Sequence, residues 1–324
     1  MSASRGREIA GRALLAAGGV LVALLLLEGV LRLGALLVRF IPSRVASNAP
    51  ETSGLRLLAL GDSNTWGLWV KASQAYPEQV EFLWNAAGNR RRLQVFNLGY
   101  PGMNSAAVRK LLPQLLHMFR PDIVTVMIGV NDYWTAPEEV GEADLWTRMD
   151  MHLWRWSRLY RAAVMIRRGI AMPKIDAPRD GFSRPARPLA VEAGGERLEM
   201  PTYRIENVSG WEGRLAANLD AIAGIVRASG ATVVFLTYPA GFPLAPAYGV
   251  ANSALHEAAA RLGVPLIEVT PWVATRCREL PCKDLKKDDH PTQRGHRRVA
   301  RVVVGALPAL LEGGPEVLAP PSSP

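Results

Sequence analysis

A run of apolar residues, Leu57 to Leu60, ends abruptly in Gly61, Asp62 and Ser63. Such a run is typical of a strand buried in a parallel sheet, and open α/β sheets bind ligands at the carboxyl ends of their strands. A serine hydroxyl at that place becomes a nucleophile when a base takes its proton and donors stabilise the oxyanion. We expect Asp62 to brace the turn by accepting backbone hydrogen bonds. The alternative is that Ser63 only caps the following helix.

Three further segments carry residue types that serine chemistry needs. Gly102 and Asn131 follow predicted strands, and His290 stands before Pro291 at the start of the last predicted helix. Because the carboxyl ends of parallel strands lie at one edge of a sheet, we expect these residues to converge on Ser63. Taken singly, Asn131 is typical of a turn and His290 of a helix start. In combination and in this order, the segments indicate a catalytic site.

Short apolar runs alternate with segments of helical periodicity beyond Leu55. Each run ends in a polar or glycine-rich turn before the next helix, which is the pattern of a doubly wound parallel sheet. We therefore predict an α/β fold, a flavodoxin-like three-layer sandwich with a five-stranded parallel sheet. Strands are predicted at 57–60, 93–97, 123–128, 231–236 and 264–269, and helices at 75–87, 106–119, 211–229, 252–262 and 293–311.

The alternation breaks between residues 134 and 208, which we interpret as a helical insertion. Its second half is rich in Pro, Gly and Arg. Its first half carries an aromatic stripe that fits core packing, or alternatively a lid that shapes an acyl or glycan pocket. The stripe consists of Trp146, Trp154, Trp156 and Tyr160.

A polar segment, 1–12, precedes an apolar run, 13–33, that is long enough to cross a bilayer as a helix. Glu28 and Arg32 are four residues apart and can pair on one helical face, which lowers the cost of burying either charge. No small-x-small cleavage site closely follows the apolar core, so we predict an uncleaved signal-anchor. The rest of the chain divides into a linker at 34–54, the α/β domain at 55–312 and a disordered tail at 313–324.

The formal net charge of +9 is spread along the chain. Because the positive charge is not clustered, it gives little support to nucleic-acid binding. A protein surface that lies beside anionic lipid headgroups explains the positive charge as well as nucleic-acid binding does. Cys277 and Cys282 are too few for a zinc site and can form a local disulfide or remain free thiols. Together with the usual behaviour of short N-terminal anchors, the cysteine pair favours a single-pass membrane protein whose domain lies outside the cytoplasm, in the periplasm or extracellular space.

The combined segments resemble the SGNH, or GDSL-type, hydrolase family over Leu55 to Leu311, apart from much of the insertion. That family is named for a serine, a glycine, an asparagine and a histidine, which correspond here to Ser63, Gly102, Asn131 and His290. The resemblance implies that Ser63 is the nucleophile and His290 the general base. It also implies an oxyanion hole made of the Ser63 and Gly102 backbone N–H groups and the Asn131 amide, with no metal or cofactor.

The sequence departs from the family's commonest pattern at the acid of the triad. The family often places an aspartate three residues before the histidine, where this chain has Lys287. Asp288, two residues before His290, is the best candidate because this shorter spacing also occurs among similar sequences. Asp289 is less suited, since an adjacent side chain tends to point away from the imidazole, and Asp284 is a remote third choice.

The resemblance implies a serine esterase or acyl hydrolase that cleaves carboxylic esters of lipids, glycans or small molecules through an acyl-enzyme, and the apolar run makes it a membrane-anchored one. Its expected partners are an acyl-ester substrate and membrane lipid. One alternative is an acyltransferase that moves acetyl groups on an envelope polysaccharide. Another is a non-catalytic envelope- or glycan-binding module on the same scaffold, against which the intact set of four residues argues. The sequence leaves the substrate and the oligomeric state open.

Overall fold

The computed structural model of the 324-residue chain describes residues 2–39, 54–132, 210–241 and 244–312, with short fragments between 157 and 204. The chain forms two compact units, residues 1–43 with 136–172, and residues 44–135 with 173–324. The first unit contains the N-terminal helix, and the second contains the α/β domain with all the candidate site residues.

Helix α1, Ser2–Arg39, dominates the first unit. Its segment Leu14–Leu33 has a mean hydropathy of 2.4, and none of it is buried. Among the described residues it is the one helix long and apolar enough to cross a membrane, and a signal sequence meets the same criteria.

Glu28 is the acidic residue of this apolar span, and polar groups surround its carboxylate. Arg32 Nε donates to Glu28 Oε1 at 2.7 Å, so the predicted pair is present. Ser157 Oγ and the Leu159 backbone N–H donate to Glu28 Oε2 at 3.0 and 2.8 Å. The charge that interrupts the apolar run therefore has several donors within its own unit, which is how ionisable groups in apolar helices are usually accommodated.

The α/β domain is built on a parallel sheet whose strands follow the predicted ones. In the described residues this sheet has five strands, in the order β2-β1-β3-β8-β9, and every pair is parallel. The order confirms the predicted flavodoxin-like topology. The chain places β2 on one side of β1 and β3 on the other, so the order in which strands are added to the sheet reverses at β1. The strands in chain order are β1 (Leu55–Gly61), β2 (Leu93–Gly99), β3 (Ile123–Met127), β4 (Arg184–Pro185), β5 (Leu189–Ala193), β6 (Glu196–Met200), β7 (Tyr203–Arg204), β8 (Thr232–Leu236) and β9 (Leu266–Ile267).

Helices cover the sheet in two groups that pack among themselves. After α1, the helices are α2 (Ser63–Trp66), α3 (Tyr76–Ala86), α4 (Ser105–Phe119), α5 (Trp211–Ala228), α6 (Pro246–Leu262), α7 (Thr270–Ala274) and α8 (Gln293–Leu311). Helix α3 packs on α8, while α4 packs on α5 and α5 on α6. Helix α6 begins at Pro246 and not at the predicted Asn252, because a proline in the first turn already has a helical φ and needs no N–H partner.

The sheet forms the centre of the core because both of its faces are covered. All five residues of β3 are buried, as are the apolar residues of β1 from Leu57 onward. This continuous apolar character is expected of a parallel strand between two helical layers. In α4, Val108, Leu112 and Leu116 recur every four residues and are buried, so one stripe of the helix seals the core.

Only fragments of the predicted insertion are described. Residues 159, 160 and 163 are helical, and further along β4 pairs with β7 and β5 with β6, both antiparallel. These strands were not predicted, because their Pro- and Arg-rich surroundings hide the short alternation. Other predicted features lie outside the described residues, namely Trp146, Trp154 and Trp156, linker residues 40–53 and the tail 313–324.

Candidate active site

The strand β1 delivers Ser63 to the carboxyl edge of the sheet. Asp62 is the N-cap of α2, its Oδ1 accepts the Asn64 backbone N–H at 2.9 Å, and Ser63 is the first helical residue. Gly61 is required at this turn, since a Cβ there would lie 2.6 Å from the backbone oxygen of Met127. The cap is therefore Asp62, as its expected bracing role requires, and the Ser63 hydroxyl is left for another contact.

That contact is with His290. Ser63 Oγ lies 2.8 Å from His290 Nε2, although 227 positions separate the residues. His290 Nδ1 lies 3.0 Å from the backbone oxygen of Asp288. A carbonyl oxygen can only accept, so Nδ1 carries the proton and Nε2 of the neutral ring is the acceptor. Ser63 therefore donates its hydrogen to a nitrogen that is able to take it.

The loop before His290 is fixed at several points. A disulfide joins Cys277 to Cys282, which answers the question that the sequence left open. The Lys286 backbone N–H donates to the His290 oxygen at 2.9 Å, and Leu285 and Pro291 form a bridge, so the loop folds back on itself. These contacts hold the histidine in place before α8 begins.

The three candidate acids lie in different surroundings. Asp288 Oδ2 is 3.4 Å from His290 Nδ1, and among the described residues Asp288 is the one whose carboxylate comes within ion-pair distance of this ring. Asp289 has φ +67°, and burial raises the pKa of its carboxyl to about 6. Asp284 is buried and pairs instead with Arg294 Nε at 3.1 Å and Arg298 Nε at 2.9 Å in α8. The structure thus brings Asp288 to His290 and directs Asp284 elsewhere.

The predicted oxyanion donors lie on neighbouring turns. Gly102 has φ +80°, a conformation that favours glycine. Its turn is held against the Ser63 strand because the Tyr100 N–H donates to the Gly61 oxygen at 3.0 Å. Asn131 Nδ2 donates to the Met103 oxygen at 3.0 Å, which fixes the amide beside the Gly102 turn. Ser63, Gly102 and Asn131 are thus on adjacent, hydrogen-bonded segments of the same edge.

Asp132 anchors the Asn131 turn to α4. Its carboxylate accepts the Ser105 backbone N–H at 3.0 Å and also the Ser105 hydroxyl, to which Asn218 Nδ2 donates at 2.8 Å. Burial raises the pKa of Asp132 to about 6, although the Ser105 hydrogen bonds and the charge of Arg214 oppose the rise. The turn that carries Asn131 is therefore supported by a buried polar cluster.

We expect the Asp132 carboxyl to make stability depend on pH. Its native pKa of about 6 lies above the unfolded value near 3.9, so it stabilises the native state below about pH 4 and loses that contribution as pH rises through 6. Between pH 4 and 7, wild type should lose about 2 kcal/mol of stability relative to Asp132→Asn. Denaturant unfolding at several pH values measures this difference. The surface variant Asp220→Asn is the control. If the free energy of unfolding changed with pH in the same way in wild type and in Asp132→Asn, the expectation would be refuted.

Tyr238, two residues beyond the end of β8, links the two catalytic turns and was not predicted as a site residue. Its hydroxyl donates to Asp62 Oδ2 at 2.6 Å and accepts the Val130 backbone N–H at 3.3 Å. Tyr248 stacks on it with ring centroids 4.7 Å apart, and Asn64 Nδ2 donates to the Tyr248 hydroxyl at 3.1 Å. Burial raises the pKa of Asp62 and of both phenols. The sequence feature that could have identified Tyr238 as a site residue is its position shortly after a predicted strand, which it shares with Ser63 and Asn131.

We expect Tyr238→Phe to lower kcat by about tenfold or more, because small displacements of catalytic groups have large kinetic effects. The variant removes the hydroxyl that joins the Asp62 and Val130 segments and leaves the stacked ring. Tyr248→Phe is the matched control, since it loses a hydroxyl from the same stack but leaves the link between the turns intact. Equal effects of the two substitutions on kcat would contradict the linking role of Tyr238.

In the described part of the chain, no group of three or more His, Cys, Asp or Glu side chains is placed to hold a metal ion.

A serine hydroxyl beside an imidazole, at the carboxyl edge of a parallel α/β sheet, is the arrangement by which serine hydrolases attack acyl groups. The sequence matches the GDSL-like Lipase/Acylhydrolase family over residues 59–298, so the chain belongs to that family and is a serine ester hydrolase. The predicted family resemblance is thereby confirmed.

Comparisons with individual proteins are more distant. No curated protein matches the sequence. Among solved structures, TesA is 20% identical, with 79% of this chain and 97% of that chain covered and a TM-score of 0.46. LAE5, an alpha/beta hydrolase enzyme from the metagenome of Lake Arreo, Spain, is 16% identical, with 82% and 98% covered and a TM-score of 0.48. The psychrotrophic esterase EstA from Pseudoalteromonas sp. is 12% identical, with 80% and 99% covered and a TM-score of 0.48.

Proposed function

We propose that the protein hydrolyses carboxylic esters through an acyl-enzyme on Ser63. The observation that carries this proposal is the 2.8 Å contact between Ser63 Oγ and His290 Nε2. Nε2 takes the hydroxyl proton as Oγ attacks the ester carbonyl carbon, and a tetrahedral oxyanion forms. The intermediate collapses, the C–O bond to the alcohol breaks, and the imidazolium gives its proton to the leaving oxygen. A water molecule then repeats the sequence on the acyl-enzyme.

In this proposal the oxyanion is stabilised by the Ser63 and Gly102 backbone N–H groups and by the Asn131 amide. The assignment of these donors is supported by the adjacency of the three turns that carry them. Hydrogen bonds of 3.0 Å, from the Tyr100 N–H and to the Met103 oxygen, hold these turns together. Neutral donors fixed before the reaction stabilise the developing charge without reorganising. Asn131 donates through a side chain that its contact with Met103 already orients.

Asp288 supports His290 in two ways under this proposal. Its backbone oxygen, 3.0 Å from Nδ1, selects the tautomer that leaves Nε2 able to accept. Its carboxylate, 3.4 Å from the same nitrogen, stabilises the imidazolium that forms during attack. The two tasks that one aspartate carboxylate performs in the usual triad are thus divided between two groups of a single residue.

We further propose that α1 anchors the protein in a membrane, with the α/β domain outside the cytoplasm. The exposed apolar span Leu14–Leu33 supports the anchor, and the disulfide between Cys277 and Cys282 supports an oxidising compartment. After carbonate extraction of membranes, the protein should remain in the pellet, and its recovery in the soluble fraction would contradict the anchor.

The candidate substrates of the proposed esterase are esters of lipids, glycan O-acyl groups and small-molecule esters.

The substrate class is tested with p-nitrophenyl esters of increasing acyl length, assayed on the full chain in detergent. We expect at least one of these esters to be hydrolysed, because acylation of Ser63 releases p-nitrophenol and attack by water then regenerates the enzyme. A preference for acetate would indicate glycan O-acyl or small esters, and a preference for long chains would indicate lipid. A correctly folded protein that cleaves none of these esters would contradict the proposal.

A further inference from the structure

Trp69 lies three residues beyond α2 and contacts the loop that carries His290. Its indole Nε1 donates to Asp288 Oδ2 at 2.8 Å. The same oxygen is the one that lies 3.4 Å from His290 Nδ1. Asp288 Oδ2 therefore faces both the indole N–H and the imidazole, and the indole contact is the shorter of the two.

The backbone of Trp69 is strained. Its φ is +68°, a left-handed conformation that bulky side chains rarely adopt. The side chain is 62% exposed, so burial of the ring offsets little of this strain. Its contacts are polar instead, since Lys286 Nζ lies 5.8 Å from the ring centroid and Asp288 accepts the N–H. Strained residues of this kind are concentrated at functional sites.

The Asp288 side chain needs such a restraint. It is 48% exposed, and a carboxylate in that position can rotate away from the imidazole into water. The attraction between carboxylate and imidazolium falls with distance and with exposure to solvent. A donor on a rigid indole, held on a separate segment, keeps Oδ2 on the Nδ1 side of the ring.

We infer that Trp69 is a positioning residue for ester hydrolysis, whose indole N–H holds the Asp288 carboxylate against His290. The inference rests on the proposed function, because Trp69 acts only through Asp288. In this role Trp69 affects the rate of ester hydrolysis and not the stability of the fold.

The test combines Trp69→Phe with Asp288→Asn in a double-mutant cycle on the full chain in detergent. Phenylalanine keeps an aromatic ring near Lys286 and removes the N–H. We expect Trp69→Phe to lower kcat about tenfold with KM little changed, and the double variant to lose no more than Asp288→Asn alone. Trp84→Phe is the matched control. It removes an indole hydrogen bond of the same length, 2.8 Å to the Arg91 oxygen, and should leave kcat unchanged.

Trp69→Gly separates positioning from folding. Glycine adopts a φ of +68° without strain, so this variant should keep or raise the Tm while kcat falls. A purely structural role would lower the Tm and leave kcat per folded molecule unchanged, which would overturn the inference.

The outcomes also distinguish the inference from the proposed function. If Asp288→Asn slows hydrolysis but Trp69→Phe has no effect, or an effect that simply adds, the inference is wrong and the proposed function stands. If Asp288→Asn itself leaves kcat unchanged, the role proposed for Asp288 fails, and the inference about Trp69 fails with it.

Discussion

Ser63→Ala should lower kcat for ester hydrolysis by about six orders of magnitude, as expected when the nucleophile of a serine hydrolase is removed. The remaining rate comes from substrate binding and oxyanion stabilisation alone. The fold should survive, because the side chain loses one hydroxyl and one hydrogen bond, a cost of about 1 kcal/mol. Turnover of p-nitrophenyl esters by the purified full chain, with circular dichroism as a check of folding, measures both effects.

Ser229→Ala is the matched control for this substitution. It also removes one hydroxyl hydrogen bond, from Ser229 Oγ to the Val226 oxygen at 2.7 Å, at the far end of α5. Its turnover should equal that of wild type. Hydrolysis at the wild-type rate by a folded Ser63→Ala variant would exclude Ser63 as the nucleophile.

Asp288→Asn should lower kcat by about a hundredfold, a smaller loss than the roughly ten-thousandfold loss seen when the triad aspartate alone fixes the tautomer. Asparagine retains the backbone carbonyl that accepts Nδ1–H, so the histidine keeps its reactive tautomer. What is lost is the negative charge 3.4 Å from Nδ1, which stabilises the imidazolium. Steady-state kinetics of the three aspartate variants, at 288, 289 and 284, test this ranking.

The other two aspartate variants provide the comparison. Asp289→Asn should change kcat little, and Asp284→Asn should mainly lower the free energy of unfolding, because Arg294 and Arg298 would lose a buried partner. A larger loss of kcat per folded molecule in either variant than in Asp288→Asn would move the acid role to that residue. A ten-thousandfold loss in Asp288→Asn would show that the carboxylate, and not the carbonyl, fixes the tautomer.

The sheet could be predicted because its strands are locally encoded. A strand such as β3, covered on both faces, must be apolar throughout, and polar turns then mark the edge where the strands end. The contact of Ser63 with His290 follows from this rule together with the order of the segments. Even the bounds of α8, residues 293 to 311, agree with the prediction, since Thr292 supplies a side-chain cap.

The supporting contacts could not be predicted, because they join distant segments through side-chain directions that no periodicity encodes. Trp69 and Asp288 are 219 positions apart, and Tyr238 and Asp62 are 176 apart. The sequence identified Asp288 by spacing, but it did not indicate that the backbone oxygen would be nearer to Nδ1 than the carboxylate. That detail depends on how the loop folds back on itself, with Asp289 in a left-handed conformation.

The most direct test of a serine nucleophile is covalent labelling of the full chain with a fluorophosphonate, followed by peptide mass spectrometry. A nucleophilic serine displaces fluoride from phosphorus and keeps the phosphonyl group, so one adduct is expected per chain. The account predicts that this adduct lies on Ser63 and is lost in His290→Ala, because that variant lacks the base. An active protein that carries no adduct, or carries it on a different serine, would contradict the account.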